Sequence, residues 1–242
     1  MRIGIDCRLW NETGVGRYIR NLVKELGEID QKNEYFLFVR SEDYQRIKDE
    51  GLRINWRLVK SDVRWHSIEE QLRLPAILEK EQLDLVHFPY FSVPIFYKGR
   101  FVVTIHDLIP LHFDTGMATT LPLPFYKAKR LGYKYVLRQA AKKTEKIIAV
   151  SDATKEEVVK HLKVDPDKVV VTYEGVDPLL YSSSEAKRRR EVDSGQARMT
   201  VISRLRSNNT PYFLYVGNAY PHKNLERLIE VFRNVILERS DR

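Results

Sequence analysis

The sequence predicts an α/β fold: a doubly wound, mostly parallel sheet, followed by the start of a second domain of the same class. Three observations carry this. Short β-rich runs alternate with helical patterns over residues 1–180. Several runs, FVVTI at 101–105, KIIAV at 146–150 and KVVVT at 168–172, are almost continuously apolar, as strands covered on both faces of a parallel sheet are. The layout of strand, glycine-bearing loop and amphipathic helix occurs at 3–26 and again at 212–236, as two Rossmann-like halves would produce.

The elements follow in order. Strands are expected at Arg2–Ile5, Tyr35–Val39, Ile54–Val59, Leu83–Phe88, Phe101–Ile105, Lys146–Val150, Lys168–Thr172 and Tyr212–Val216. Tyr18, Ile19, Leu22, Val23 and Leu26 form one apolar stripe of a first helix. Ser67 and Glu70 have capping-box spacing, and Pro75 is expected to kink or restart the helix that follows. Ser151 can cap a helix running to about Leu162, with Asp152 favourable against its dipole. The alternation stops after Asp177. Residues 1–180 are therefore expected to form the first domain, 181–210 a polar linker or insertion, and 211–242 the first strand–loop–helix of a second. In that last helix Leu225, Leu228, Ile229 and Phe232 share a face, with Asn224 as cap.

Composition narrows the function classes. No run approaches the roughly 18 apolar residues that span a bilayer, and the first residues read as a strand, not as a secretion signal. A single cysteine, Cys7, rules out an internal disulfide framework and suits a reducing compartment; as a small apolar residue beside a strand it is expected to be buried. The formal net charge of +8 favours acidic partners: nucleic acid, anionic membrane or phosphorylated ligands. Helix-turn-helix, zinc-finger, RRM and KH signatures are missing from the sequence, so nucleic acid is not expected.

Four segments could carry chemistry. In the loop Asn11–Arg17, Gly14, Val15 and Gly16 stand between a strand and a helix, where backbone amides can approach a phosphate. A tight turn would explain the glycines equally well. This is not the dinucleotide fingerprint, because Ile19 stands where its third glycine would be, which argues against a nicotinamide-dependent oxidoreductase. His106 and Asp107 follow a central strand, at the sheet edge where open α/β folds bind ligands. A histidine there can donate to a sugar hydroxyl or to developing charge, and the plain alternative is a structural histidine. A metal site of His106, Asp107 and His112 is disfavoured because one short segment supplies every ligand, and no metal is expected. Asp165-Pro166-Asp167 reads as a turn before it reads as a metal-holding pair.

The stretch 126–143 carries Lys127, Lys129, Arg130, Lys134 and Arg138 with no acidic residue, interleaved with Leu131, Tyr135 and Val136. It suits an anionic membrane or an acceptor, and equally a solvated helix face. In the last segment, Lys223 near a helix start could pair with a diphosphate.

Together these stretches resemble the retaining glycosyltransferases of family four, which have the two-lobed GT-B architecture. The matching segments are IGIDCRLWNETGVGRYIRNL, LDLVHFPYFSVP, VVTIHDLIPLHF, IIAVSDATKEEV, VVVTYEGVDP and PYFLYVGNAYPHKNLERLIEVF, in family order over residues 3–236. The resemblance implies that Gly14 and Gly16 lie by the donor phosphates and transferred sugar, that His106 contacts the donor sugar, and that Lys223 binds the donor diphosphate. Asn218 and His222 stand where relatives often carry arginine. The family's glutamate pair lies farther along the second lobe than residue 242 reaches. The implied function is transfer of a sugar, with retention, from a nucleotide-sugar donor (GDP-mannose or a UDP-sugar) to a glycan or lipid-linked acceptor in cell-envelope polysaccharide synthesis. No further cofactor is implied. The expected location is cytoplasmic, with peripheral contact at the inner face of the membrane. The 242 residues alone are expected to transfer little sugar, and residues 210–242 to be poorly anchored. The alternative is a non-catalytic module that binds a phosphorylated ligand or a membrane surface.

Overall fold

The computed structural model describes residues 1–49, 51, 55–112, 123–175, 225–227 and 229–231. The chain divides into two units, Met1–Asp177 and Pro178–Arg242.

The first unit is built on one seven-stranded parallel sheet: β1 (Arg2–Asp6), β2 (Glu34–Val39), β3 (Trp56–Lys60), β4 (Leu85–Phe88), β5 (Phe101–Ile105), β6 (Lys146–Ala149) and β7 (Val169–Val171). Their spatial order is β3-β2-β1-β4-β5-β6-β7, with Ile5 beside Leu37 on one side and His87 on the other. Among the described residues the helices beside them are α1 (Gly14–Ile29), α2 (Ser41–Asp49), α3 (Ile68–Lys80), α4 (Ile109–His112), α5 (Leu123–Lys143) and α6 (Asp152–Leu162).

Strand alternation builds two cores. On β2, Leu37 and Val39 join Ile5, Cys7, Ile19 of α1 and Ile47 of α2 in one cluster. Phe36 and Phe38 point the other way and join Leu74 and Leu78 of α3, Leu137 of α5 and Val158 of α6. Right-handed crossovers leave only this division of helices once the strand order reverses at β1. Cys7 is buried, and burial together with the neighbouring Asp6 carboxylate holds its thiol well above the ordinary value.

Local chemistry sets the ends. Ser67 caps α3 by accepting from the Glu70 amide, and Ser151 caps α6 by accepting from Thr154. Asp165 accepts from the Asp167 amide, making Asp165–Asp167 the turn its composition indicates. Pro75 does not restart α3, which runs unbroken through Lys80. Pro75, Leu74 and Leu78 are all buried there, and that packing outweighs the lost backbone bond. Helix α2 is weakly announced by sequence, because it buries only Asp43 and Ile47.

In the second unit, residues 225–227 and 229–231 are helical, with an Arg227–Glu230 ion pair at 2.8 Å and Ile229 and Val231 half-exposed. The stretch 181–210, the strand expected at 212–216, and Lys223, Asn224, Leu228 and Phe232 lie outside the described residues. Among the described residues no helix is long and apolar enough to cross a membrane.

Candidate functional site

A doubly wound sheet binds ligands outside the carboxyl ends of its strands, where the strand order reverses. Here that point lies between β1 and β4. The loop after β1 leads directly into α1. Thr13, its N-cap residue, makes no side-chain cap bond, and no acidic residue stands in the first turn. The positive end of α1 is therefore uncompensated by protein carboxylates at its first turn, the condition for anion binding.

The two glycines of this loop differ. A side chain at Gly16 would meet the carbonyl oxygens of Trp10 at 2.5 Å and Leu9 at 2.7 Å. Gly16 is thus required by the close approach of α1 to its own preceding turn. Gly14 is exposed, and a side chain there would meet nothing within 4 Å. Packing does not explain Gly14, and its bare backbone leaves room for a ligand. Val15, between them, is half-buried against the α1-side core.

His106 comes to the same rim from β5. Its ring stands edge-on to Tyr18 of α1, with centroids 4.9 Å apart. Nε2 donates to the Pro89 carbonyl at 2.9 Å, and Nδ1 faces the Glu174 carboxylate at 3.0 Å. Beneath it the Tyr18 hydroxyl lies 3.2 Å from Thr104 Oγ1, which lies 2.8 Å from His87 Nε2. Burial, with the nearby His106, pushes the His87 imidazole down to about 4, so it stays neutral near pH 7. Helix α1 and the segments after β4, β5 and β7 thus converge on one imidazole. Asp107, in contrast, is exposed and uses Oδ1 to accept from the Ile109 amide, holding the start of α4.

A second feature adjoins this rim. A cavity of about 750 Å³ opens between α3 and α5, lined among others by His66, Phe91, Tyr126, Lys129, Tyr133 and Tyr135. Tyr90 bridges it to the rim, with its ring 5.7 Å from His66 and 6.4 Å from His106. Burial, with the cations Lys129 and Arg8 nearby, pushes the His66 imidazole down to about 4.

The cavity floor rests on a sealed ionic cluster. Arg8, 2% exposed, forks onto both Asp6 oxygens at 2.8 and 2.7 Å and reaches Glu70 Oε1 at 2.7 Å. It also donates to the Val63 carbonyl, while Ser92 and the His66 amide donate to Glu70. Burial raises Glu70, against the pull of Arg8; yet its neighbours Arg8, Ser92 and the His66 amide all donate to it, which is the environment of a carboxylate. Burial works against the Arg8 charge, but Asp6 and Glu70 more than offset it and raise Arg8. The capping box read from sequence is therefore half-formed: Ser67 accepts from Glu70, but the Glu70 carboxylate turns inward to Arg8.

The basic residues lie along α5. Lys127, Lys129 and Arg138 are exposed, and Arg130 and Lys134 are half-buried. Lys127, Leu131, Tyr135 and Arg138 share one outer face by helical spacing, with Leu131 69% and Tyr135 55% exposed. His112 turns away from His106 and meets Glu157 and His161 of α6. Lys223 lies outside the described residues. Sequence reading missed Tyr18, Tyr90, Thr104, Glu174 and the Arg8 cluster. The available signal was Asp6-x-Arg8, charge at the end of an apolar strand.

The fold and rim define a Rossmann-like domain that presents a helix N-terminus, a bare glycine and a histidine to one ligand edge. The chain belongs to glycosyltransferase family 4, whose domain matches residues 13–179. It is 21% identical over 166 residues to the O-antigen chain mannosyltransferase RfbU of Salmonella typhimurium, covering 69% of this chain and 37% of that protein. It is 27% identical over 165 residues to the UDP-Gal:alpha-D-GlcNAc-diphosphoundecaprenol alpha-1,3-galactosyltransferase of Escherichia coli, covering 68% and 40%. The chain thus spans less than half the length of these curated relatives. Among solved structures it is similar to Anabaena HepE in complex with UDP and glucose, at 16% identity and TM-score 0.48, covering 79% of this chain and 50% of that one.

Proposed function

We propose that this chain is the acceptor-side lobe of a transferase that moves a sugar, with retention, from a nucleotide-sugar donor to a glycan or lipid-linked acceptor in envelope polysaccharide synthesis. Membership of glycosyltransferase family 4 and relatives named as mannosyl- and galactosyltransferases support the reaction class. The observation that carries the site assignment is the convergence of the α1 N-terminus at Gly14 with the His106 ring, joined through Tyr18. The α1 dipole and first-turn amides face donor phosphate. His106, anchored to Pro89 through Nε2, presents Nδ1 to a hydroxyl of the donor sugar once that sugar displaces Glu174. Charge on the leaving diphosphate is met by fixed positive groups without a metal. GDP-mannose or a UDP-sugar is the donor, and no further cofactor takes part.

The acceptor enters the α3–α5 cavity. Its aromatic lining suits a sugar face or an isoprenoid chain, and Tyr90 leads from it to His106. Lys127 and Arg138, set beside exposed Leu131 and Tyr135, give α5 the face of a peripheral helix on an anionic membrane at the cytoplasmic side. Nucleic acid has no part in this reading.

The test uses the protein expressed from its complete gene, with labelled GDP-mannose or UDP-hexoses and host membranes. His106→Ala is expected to lower transfer by about 100-fold with folding intact. Undiminished transfer by that variant would remove His106 from the reaction. Sedimentation with anionic vesicles tests α5: the double variant Lys127→Glu, Arg138→Glu is expected to stay in the supernatant. If lipid binding persists while no nucleotide sugar binds or reacts, a membrane-surface module is the better reading.

A further inference from the structure

We infer that His112, Glu157 and His161 form a divalent transition-metal site that clamps the segment after β5 to α6. The inference is independent of the transfer reaction and places no metal in it. Glu157 and His161 stand one helical turn apart on α6, so both side chains share a face. His112, the last residue of α4, is brought to them from 45 residues upstream. Its Nε2 hydrogen-bonds Glu157 Oε2, and His161 Nε2 lies 3.8 Å from that same oxygen. The two imidazoles meet edge to face with centroids 4.5 Å apart, and one ligand atom from each residue falls within 4.8 Å of the others.

Stability alone does not account for this grouping. The three side chains are 34%, 43% and 32% exposed, and ion pairs at such exposure contribute roughly 0–1 kcal/mol. One histidine would suffice to pair Glu157, and the second is too far to hydrogen-bond it. Two imidazole nitrogens and one carboxylate oxygen are instead the donor set of Zn²⁺ and similar borderline ions, which leave a fourth position to water. Ligand atoms around a tetrahedral ion lie roughly 3.4 Å apart. Small side-chain rotations reach that spacing from the distances observed.

The position gives the site a consequence. Asp107 Oδ1 holds the Ile109 amide at the start of α4, and Thr154 of α6 donates to the His106 carbonyl. An ion at the far end of α4 adds a second tie between the same two elements and fixes the segment that carries His106.

The experiment titrates the purified full chain with CoCl₂ and ZnCl₂ in chelator-free buffer. It follows the visible Co²⁺ spectrum and competition with a chromophoric chelator. The expected result is one ion per chain at a Kd of about 10 µM or tighter, at least about tenfold weaker in His112→Ala and in His161→Ala, and unchanged in His222→Asn. Mg²⁺, which prefers oxygen ligands, is expected not to compete. Bound Zn²⁺ should slow amide exchange at Ile109, Leu111 and His112. Circular dichroism of each variant separates lost binding from lost fold, and Glu157→Gln serves if either alanine variant unfolds. Binding weaker than about 100 µM, or binding that survives loss of His112 and His161, overturns the site.

Discussion

The turn after β1 and the end of β5, with β4 between them in the sheet, hold charged or polar groups at the same strand ends and use them in opposite ways. Around Arg8, the guanidinium is partnered by Asp6, Glu70 and the Val63 carbonyl, at 2% exposure. Around His106, one ring nitrogen is anchored to a backbone carbonyl, and the other faces a carboxylate, Glu174, that is itself half-exposed. Nearby, α1 begins with no side-chain cap bond and no acid. A site whose polar groups are satisfied internally builds the protein. A site that leaves donors exposed at a concave rim is available to a ligand. The same distinction separates Gly16, where an added side chain would strike carbonyls, from Gly14, where it would meet nothing within 4 Å.

The sharpest way to break the comparison is Arg8→Met. It leaves two buried carboxylates without their cation, and stability should fall by about 3–5 kcal/mol in urea unfolding. A loss below about 1 kcal/mol would mean the cluster is not structural.

Acidification probes the layer between the two regions. His87 titrates near 4 when folded, against 6.5 for a free imidazole. As pH falls through 6.5 the unfolded chain takes up a proton that the folded chain refuses. Stability is therefore full above that range and is lost as pH drops toward 4, by up to about 3 kcal/mol. His66 is shifted in the same direction. Unfolding curves between pH 7.5 and 4.5 should slope this way, and His87→Gln should flatten the slope; an unchanged slope in that variant would refute the assignment.

A smaller effect separates the glycines. Gly16→Ala should cost about 1–3 kcal/mol, because backbone and not a flexible side chain stands in the way. Gly14→Ala should leave stability within about 1 kcal/mol of the parent while lowering donor use. Equal destabilisation by both would erase the distinction between a packing glycine and a clearance glycine. The smallest effect on stability belongs to His106→Ala. The side chain is 16% exposed but belongs to neither apolar core, so thermal unfolding should shift by no more than a few degrees even as transfer is lost.

Much of this was legible in the chain. FVVTI, KIIAV and KVVVT read as strands of a parallel sheet and all three are, but β7 is the sheet's edge and leaves Val170 46% exposed, so it is not covered on both faces as its apolar run suggested. Ser67 and Ser151 announced their helices because capping is a contact between residues a few positions apart. His106 was marked by following a central strand. Helix α2 and the persistence of α3 through Pro75 were not legible, since packing against the sheet decides both.

By itself the sequence determined the fold class, the strand sites of the first unit, the two capped helices and the family, because each rests on local periodicity, local hydrogen bonding or motif order. Tertiary structure alone decided the partners. It took the Glu70 carboxylate from the capping box to Arg8, sent His112 to α6 instead of to His106, gave Asp107 to the α4 turn, and made Gly16 structural but Gly14 free. Those choices depend on which residues, tens of positions apart, arrive at the same point in space, and that is settled only when the sheet has closed around them.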